Sequence, residues 1–229
     1  MSGFVLKMIA VVIMIIDHTG LFFFPEAIWL RAIGRIGFPI FAYFIAEGFM
    51  YTRSRTKYFL RIFILGLICQ LVYGFVGDFK TMCILVTFSC SLILMEIGER
   101  TVKTYKERKS TAFSLYILLL LTLLFGFYVF CQYFSVDYGF AGILTPFLVS
   151  LFKSKPGKLA AMGFAILLIT VEVYLAIFSW IQLYAFLSIP LIALYNGKPG
   201  RYRMKYFFYL FYPLHLAALW IISWLIFLF

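Results

Sequence analysis

Charged side chains are scarce in this sequence, and acidic ones are the scarcest. Of the 229 residues only 13% are charged, with 9 Asp and Glu against 20 Lys and Arg. Soluble globular domains carry about 25% charged residues, and the mean hydropathy of +1.03 is far above that class. The shortage of charge therefore predicts an integral membrane protein. The net charge of +11 is expected to set topology and to contact lipid headgroups rather than nucleic acid.

The cysteine pattern gives little support for metal binding or redox chemistry. The four cysteines, Cys69, Cys83, Cys90 and Cys131, form no CxxC pair and have no neighbouring histidine. This pattern argues against a zinc site or a redox centre, so we expect packing roles and no bound metal. The N-terminus also lacks a basic segment followed by a short apolar run and a small-residue cleavage site. A retained first helix is therefore expected rather than a cleaved signal peptide.

Apolar runs long enough to cross a hydrocarbon core of about 30 Å recur along the chain. Short polar connectors separate them, and no internal repeat or low-complexity linker interrupts the series. We predict an all-α polytopic membrane protein in which residues 1–229 form a single bundle of about nine transmembrane helices. The predicted spans are 4–24, 30–51, 58–77, 80–97, 112–133, 138–152, 158–175, 177–195 and 206–228.

Basic residues collect in every second connector between these spans. The stretches "TRSRTKYFLR", "ERTVKTYKERK", "KSKPGK" and "GKPGRYRMK" hold 16 of the 20 Lys and Arg residues. By the positive-inside rule these four connectors are cytoplasmic, and Lys7 places the N-terminus on the same side. An odd number of spans then predicts an extracytoplasmic C-terminus.

Ionisable residues at membrane depth are the candidates for chemistry, because each costs about 2.5–3.5 kcal/mol to insert. The candidates are Asp17, His18, Arg31, Arg35, Glu47, Asp137, Glu172 and His215. Asp17 and His18 lie near the outer end of the first span, and Arg31 and Arg35 share a face at the outer start of the second. A short connector makes these spans antiparallel neighbours, so the four side chains are expected to lie in one layer.

Two arrangements of this layer are open. The Asp17 carboxylate can fix the tautomer of the His18 imidazole and make His18 a competent general base. Adjacent residues on a helix point about 100° apart, however, so Asp17 can instead pair with Arg35 in an ion network that locks two helices together. Arg31 alone can also bind a headgroup phosphate.

Glu47 and Asp137 each have a structural interpretation beside a functional one. Glu47 lies near the cytoplasmic end of the second span, where a salt bridge to Arg53 or Arg55 is expected. Asp137, in "SVDYGFAG", falls at an outer connector with flanking glycines. It either forms a turn or contacts a substrate.

The last three polar candidates lie near helix breaks or interfaces. His215 lies two residues after Pro213, whose ring kinks a helix and frees a carbonyl. The histidine either lines a cavity or is a hydrogen-bonded residue that packs at the kink. Glu172 and Gln182 flank an outer connector beside Trp180. We expect this group to form part of an interfacial belt.

Three motifs together carry a resemblance to a known family: "IDHTG", "RxxGRxxFPxFAYxxAEG" and "FYPLHL". With "VDYGFAGIL" and the stretches around them, the likeness covers nearly the whole chain. The sequence resembles the TraX family, named for the inner-membrane protein that acetylates the N-terminus of conjugative pilin. That family is similar in turn to the larger acyltransferase family 3. The resemblance implies an acetyltransferase that uses acetyl-CoA as co-substrate in the bacterial cytoplasmic membrane.

The resemblance also implies roles for individual residues. His18 is the catalytic histidine by this likeness, with Asp17 beside it in the motif. Arg31 and Arg35 contact the CoA or the acyl carbonyl. His215 in the "YPLHL" helix is a second cavity residue.

Further candidates for substrate contact lie outside that layer. Arg201 and Arg203, in the last basic connector, are expected to hold the CoA phosphates, and Glu47 and Asp137 are candidate substrate contacts. The acceptor is a peptide N-terminus, a glycan or a lipid, and no residue in the sequence distinguishes these.

A function from another class competes with acyl transfer. Asp17, His18 and Glu47 could form a proton relay in a coupled transporter or flippase. The sequence lacks the broken-helix pair and the internal repeat that many transporters show. A non-catalytic scaffold is a third interpretation, and it would carry the costly ionisable layer without using it.

Overall fold

The computed structural model describes residues 1–76, 79–201 and 205–228, and most of these residues are helical. The helices are α1 Gly3–Phe23, α2 Ile28–Gly34, α3 Gly37–Tyr51, α4 Arg55–Val76, α5 Ile84–Lys106, α6 Ser110–Tyr133, α7 Gly139–Ser150, α8 Lys155–Ile177, α9 Ser188–Ala193 and α10 Lys205–Leu228. A 3₁₀ segment, Ile181–Leu187, precedes α9. The short strands β1 Thr81–Met82 and β2 Ser135–Val136 pair in parallel. This architecture fits the predicted all-α membrane protein.

Several of these helices suit a bilayer by length and composition. Within the described residues, 4 helical stretches are long and apolar enough to cross a membrane: Gly3–Phe23, Ile28–Tyr51, Ser110–Tyr133 and Lys155–Ile177. Shorter apolar helices cover Gly139–Ser150, Ile181–Ala193 and Leu210–Ile226. All of these stretches overlap predicted spans, whose number and orientation stay predictions.

The predicted span 30–51 is interrupted between α2 and α3. Arg35 and Ile36 form a turn between the two helices, although Arg35 keeps right-handed helical dihedrals, with φ −58° and ψ −24°, and α3 begins at Gly37. Pro39 explains the break, because its ring would clash with the carbonyl of Arg35 in a continuous helix. In the first turn of α3, where the amide hydrogens have no intrahelical partners, the same proline is tolerated.

The predicted span 177–195 is also not one continuous α-helix. The structure ends α8 at Ile177, and the chain then forms the 3₁₀ segment before entering α9. Pro190 lies in the first turn of α9, where it requires no amide hydrogen bond. Together with the break between α2 and α3, the structure therefore has two interrupted predicted spans, whereas the sequence was expected to lack a broken-helix pair.

The described residues form two compact units, and α3 passes from the first into the second. The first unit comprises residues 1–44 and 152–229. On α1 the residues Leu6, Ala10 and Ile13 are buried, which marks one stripe with alternating spacings of four and three residues. The central residues of α8 are buried as well: Ala161, Met162, Ala165, Ile166 and Ile169.

The second unit comprises residues 45–151, and α5 contributes 10 buried residues to it. Leu94 and Ile143 are fully buried in a cluster that α6 covers with leucine and phenylalanine side chains. The amide of Gln70 fixes the start of α5 from the side: it donates to the Thr81 carbonyl at 2.7 Å and accepts from the Cys83 N–H at 3.1 Å.

The N-terminal segment of the first unit is tied to the chain that follows α9. The N–H of Asn196 donates to the Met1 carbonyl at 2.9 Å, and the N–H of Gly3 donates to the Lys198 carbonyl at 2.8 Å. Lys155 supports the same region, because its Nζ donates to the carbonyls of Ala193 and, at 2.7 Å, Tyr195. Ala193 is the last residue of α9 and Tyr195 lies two residues beyond it, so both carbonyls lie where intrahelical donors run out.

Replacing Lys155 with methionine is therefore expected to destabilise the protein. The lost bonds are charge-assisted but the side chain is exposed, so we expect a cost of about 1 kcal/mol and a fall in Tm of about 2–4 °C. Thermal unfolding of the purified protein in detergent measures this. Lys153→Met removes the same charge from an exposed position two residues away and serves as the matched control. An equal fall in both variants would contradict the capping role.

Candidate functional site

The buried stripe of α1 continues through an acidic residue. After Leu6, Ala10 and Ile13, the same alternating spacing reaches Asp17 and then the buried Gly20. His18 is the next residue along the helix and therefore points about 100° away from Asp17. Asp17 faces α2, whereas His18 faces α10. The helix thus presents the two ionisable side chains to different partners.

Asp17 lies between two arginines. Its Oδ1 accepts from Arg31 Nη1 at 2.7 Å and from Arg35 Nη2 at 3.2 Å. Arg31 Nη1 also donates to the backbone carbonyl of Asp17 at 3.1 Å, and Arg35 Nε donates to the Arg31 carbonyl at 3.2 Å. The exposed fractions of the Asp17, Arg31 and Arg35 side chains are only 13%, 26% and 16%. One carboxylate and two guanidinium groups leave the cluster with one net positive charge.

Glycines bring α2 close enough to α1 for this cluster to form. A Cβ on Gly20 would lie 2.7 Å from the Cβ of Leu30, well inside contact distance. A Cβ on Gly34 would overlap the carboxylate of Asp17 itself. Gly34 therefore provides the space in which the carboxylate meets Arg31 and Arg35.

We expect Gly34→Ala to displace Asp17 and weaken both ion pairs. Breaking a buried pair costs about 3–5 kcal/mol, and partial relaxation of the side chain should bring the loss to about 2–4 kcal/mol. The free energy of unfolding in a denaturant titration measures the effect. Gly126→Ala is the matched control, since a Cβ there meets nothing within 4 Å and alanine favours the helix. Equal stability of Gly34→Ala and wild type would contradict the close approach.

The second partner of α1 is α10, which brings His215 to His18. His18 Nδ1 lies 2.9 Å from the Met14 carbonyl, and His215 Nδ1 lies 3.0 Å from the Phe211 carbonyl. The two rings meet edge to face with centroids 4.9 Å apart, and His215 Nε2 lies 3.3 Å from His18 Nδ1. The Phe211 ring stacks on His215 with an interplanar angle of 5°. Both histidines are half-buried.

The first unit thus brings together five of the predicted site residues, namely Asp17, His18, Arg31, Arg35 and His215. The Asp17 carboxylate pairs with both arginines, which was one of the two open arrangements. Chemically, the group combines an imidazole pair with a positively charged cluster. Such a group can accept a proton and stabilise a developing negative charge.

The other predicted site residues lie elsewhere. Glu47 is 9% exposed in α3, and Asp137 is half-buried between β2 and α7; both belong to the second unit. The Asp137 backbone is held by bonds to Met82 and Thr87, which suits the turn interpretation. Arg201 is exposed.

The two remaining predicted residues are Arg203 and Glu172. Arg203 lies outside the described residues. Glu172 is half-buried in α8.

Arg55, one of the two expected partners of Glu47 beside Arg53, forms ion pairs with other carboxylates. It pairs with Glu96 at 3.3 Å and Glu99 at 2.6 Å, in a cleft of about 470 Å³ in the second unit. At the rim of this cleft the hydrogen bond from Lys109 lowers the pKa of Glu107 below its ordinary value. The ion pairs of Arg55 with Glu96 and Glu99 therefore join α4 to α5.

Sequence reasoning missed Gly34 and misplaced Gln182. No local signal distinguishes Gly34 from other small residues, because its importance depends on the approach of Asp17. Gln182 was expected in an interfacial belt, but it is 1% exposed. Its side-chain nitrogen has no hydrogen-bond partner in the part of the chain that the structure describes.

Comparison with known proteins agrees with the resemblance seen in the motifs. The family model described as TraX protein matches residues 2–223. A relative from Dichelobacter nodosus, a probable fimbrial assembly protein FimC of serogroup H1, is 30% identical over 95% of this chain and 94% of its own length. An uncharacterised protein from Rickettsia prowazekii (strain Madrid E) is 44% identical over 29% of this chain and 25% of its own.

No solved structure matches the chain. The family match spans the residues that carry the site, from Asp17 and His18 through the arginines to His215. The chain belongs to the TraX family.

Proposed function

We propose that the protein is a membrane-embedded acetyltransferase that moves an acetyl group from acetyl-CoA to a peptide amine. The observation that carries this proposal is the His18 imidazole on the same turn of α1 as an aspartate held by two arginines. Membership of the TraX family and the fimbrial assembly name of the Dichelobacter relative support a pilus subunit N-terminus as acceptor. Extracytoplasmic glycans and lipids are the other acceptor classes to test.

The proposed reaction balances with the groups present. The acceptor nitrogen attacks the thioester carbonyl of acetyl-CoA while His18 removes a proton from the nitrogen. The positive charge of Arg31 and Arg35 stabilises the oxyanion of the tetrahedral intermediate. Collapse of the intermediate breaks the carbon–sulfur bond, and the CoA thiolate takes from His18 the proton that came from the acceptor nitrogen. An N-acetyl group remains on the acceptor.

A proton relay through Asp17 has less support. Its carboxylate forms ion pairs with Arg31 and Arg35, and the hydrogen bonds of His18 go to Met14 and His215 instead. Acyl transfer is therefore the function that the arrangement supports best.

The membrane arrangement proposed with this function has nine spans, a cytoplasmic N-terminus and an extracytoplasmic C-terminus in the bacterial cytoplasmic membrane. Its support is the set of 16 basic residues on alternate connectors. Reporter fusions after Phe229 should be active with a periplasmic reporter and silent with a cytoplasmic one. A silent periplasmic reporter with an active cytoplasmic one would mean that the number of spans differs from nine by at least one.

Acetyl-CoA would approach from the side of the basic connectors. We place its phosphates among Arg201, Arg203 and the neighbouring connectors, with the pantetheine arm passing His215 toward His18. Only the acetyl group then crosses to the acceptor. Charge reversal of Arg201 and Arg203 is expected to raise the KM for acetyl-CoA more than it lowers kcat.

The test uses purified protein in proteoliposomes with one orientation selected. Labelled acetyl-CoA is supplied on one side of the membrane and a peptide with a free N-terminal amine on the other, and the same peptide with a blocked amine is the control. Label should appear in the free-amine peptide, with equimolar release of CoA thiol, only when acetyl-CoA is on the basic-connector side. Folded protein that neither binds acetyl-CoA nor transfers label to peptide, glycan or lipid would overturn the function. Equal activity from both sides would overturn the proposed path.

A further inference from the structure

The chain contains only two histidines, and the fold brings them into contact across 197 positions of sequence. Each histidine is bonded through Nδ1 to the carbonyl four residues before it on its own helix, Met14 for His18 and Phe211 for His215. A third hydrogen-bond contact joins the two rings, with His215 Nε2 at 3.3 Å from His18 Nδ1. These three contacts determine where the protons lie.

A backbone carbonyl only accepts hydrogen bonds, so the nitrogen facing it must carry the hydrogen. Nδ1 of His18 and Nδ1 of His215 are therefore both donors. In a neutral imidazole the other nitrogen is an acceptor, which makes His215 Nε2 a lone pair aimed at the Nδ1–H of His18. That hydrogen is shared between two acceptors, Met14 O and His215 Nε2, as in other three-centre bonds.

We propose that His215 is a positioning residue that holds His18 in its Nδ1–H tautomer, leaving Nε2 of His18 as the unprotonated nitrogen that accepts the proton. This inference rests on the proposed acyl transfer and deepens it. It gives His215 the part that a carboxylate plays in the familiar triads. Asp17, the carboxylate next to His18 in sequence, is bonded to Arg31 and Arg35.

The arrangement also specifies what happens during the reaction. When His18 Nε2 takes a proton from the acceptor, the ring becomes an imidazolium and its Nδ1–H bond to His215 becomes charge-assisted. The proton on Nε2 then leaves with the CoA thiolate, and the proton on Nδ1 does not move. His215 must stay neutral throughout, because a hydrogen on its Nε2 would oppose the Nδ1–H of His18 donor to donor.

The direct test reads the tautomer without using activity. Protein labelled with ¹⁵N only in histidine gives signals from two residues, and His18→Gln assigns them. In proteoliposomes at a pH where both rings are neutral, ¹⁵N NMR should show His18 protonated at Nδ1 and unprotonated at Nε2. A His18 protonated at Nε2 would overturn the proposal whether or not acetyl transfer has been observed.

Two amide variants supply a matched functional test. The side-chain amide of His215→Gln reaches the position of the imidazole Nε2 and keeps an acceptor there, whereas the amide of His215→Asn is one methylene shorter and does not. The Asn variant should lose about 10- to 100-fold in kcat with little change in the KM for acetyl-CoA. This is less than the ~10⁴-fold effect of a wrong tautomer in a protease, because the Met14 carbonyl still accepts. The Gln variant should retain most of the activity.

The NMR of the same variants completes the test. His215→Asn should populate the Nε2–H tautomer of His18, and His215→Gln should not. Equal kcat and equal tautomers in the two variants would overturn the positioning role. If the NMR results are as expected while no acceptor is ever acetylated, the proposed function fails and the histidine pair stands.

Discussion

Replacing His18 with alanine is expected to lower acetyl transfer by about 10²- to 10⁴-fold, because a positioned general base contributes that much to the rate. The side chain is half-buried, and its two bonds are to the Met14 carbonyl and to His215. Alanine removes the base and leaves a small cavity. His215 keeps its own bond to Phe211 and is not left with an unpaired charge. The fold should therefore survive.

The measurement is kcat for transfer from labelled acetyl-CoA, alongside size-exclusion behaviour and Tm. Thr19→Val is the neighbouring control, because it removes a polar group from the next position of α1 and is expected to leave kcat within about twofold, since it removes no acid or base. Loss of monodisperse protein in His18→Ala would indicate that the histidine pair mainly supports packing. Full activity in a folded His18→Ala would remove His18 from the mechanism.

The shared layer of Asp17, His18, Arg31 and Arg35 was predictable because local rules suffice for it. A short connector makes α1 and α2 antiparallel neighbours, and charged side chains within apolar helices must find partners. The choice between the two possible partners of Asp17 was not predictable. Adjacent positions on one helix differ by about 100°, and only the direction of the buried stripe shows that Asp17 faces α2.

Contacts between distant helices had no sequence signal. Periodicity shows that α10 is an apolar helix but not that it packs against α1, so the pairing of His215 with His18 appeared only in the structure. Arg55 illustrates the same limit. Glu47 was expected to pair with Arg53 or Arg55, whereas Arg55 forms ion pairs with Glu96 and Glu99. The break after α2, by contrast, follows from a proline that was visible in the sequence.

Replacing Asp17 with asparagine is expected to destabilise the protein more than any change in the connectors. The substitution keeps the size of the side chain and removes its charge, so Arg31 and Arg35 lose the carboxylate that both of them contact. Removing one member of a buried ion pair costs about 3–5 kcal/mol, because the remaining charge is left without compensation. The side chains of Asp17, Arg31 and Arg35 are largely buried, with exposed fractions of 13%, 26% and 16%, so a cost of this size is expected here.

Glu26→Gln is the matched control for this loss. Glu26 lies exposed in the connector between α1 and α2, so the change removes the same charge a few residues away without opening an ion pair. Its free energy of unfolding should differ from wild type by no more than about 0.5 kcal/mol. Any general effect of the lower acidic charge would appear equally in both variants.

A double-mutant cycle with Arg35→Gln then tests whether the loss comes from the ion pairs. Asp17→Asn in the Arg35→Gln background should cost at least about 1 kcal/mol less than in wild type, because one of the two ion pairs of Asp17 is already absent there. Chemical denaturation in detergent supplies the four free energies. If Asp17→Asn instead kept its full stability and lost only acetyl transfer, the carboxylate would act on His18. The assignment of Asp17 to the arginines would then be wrong.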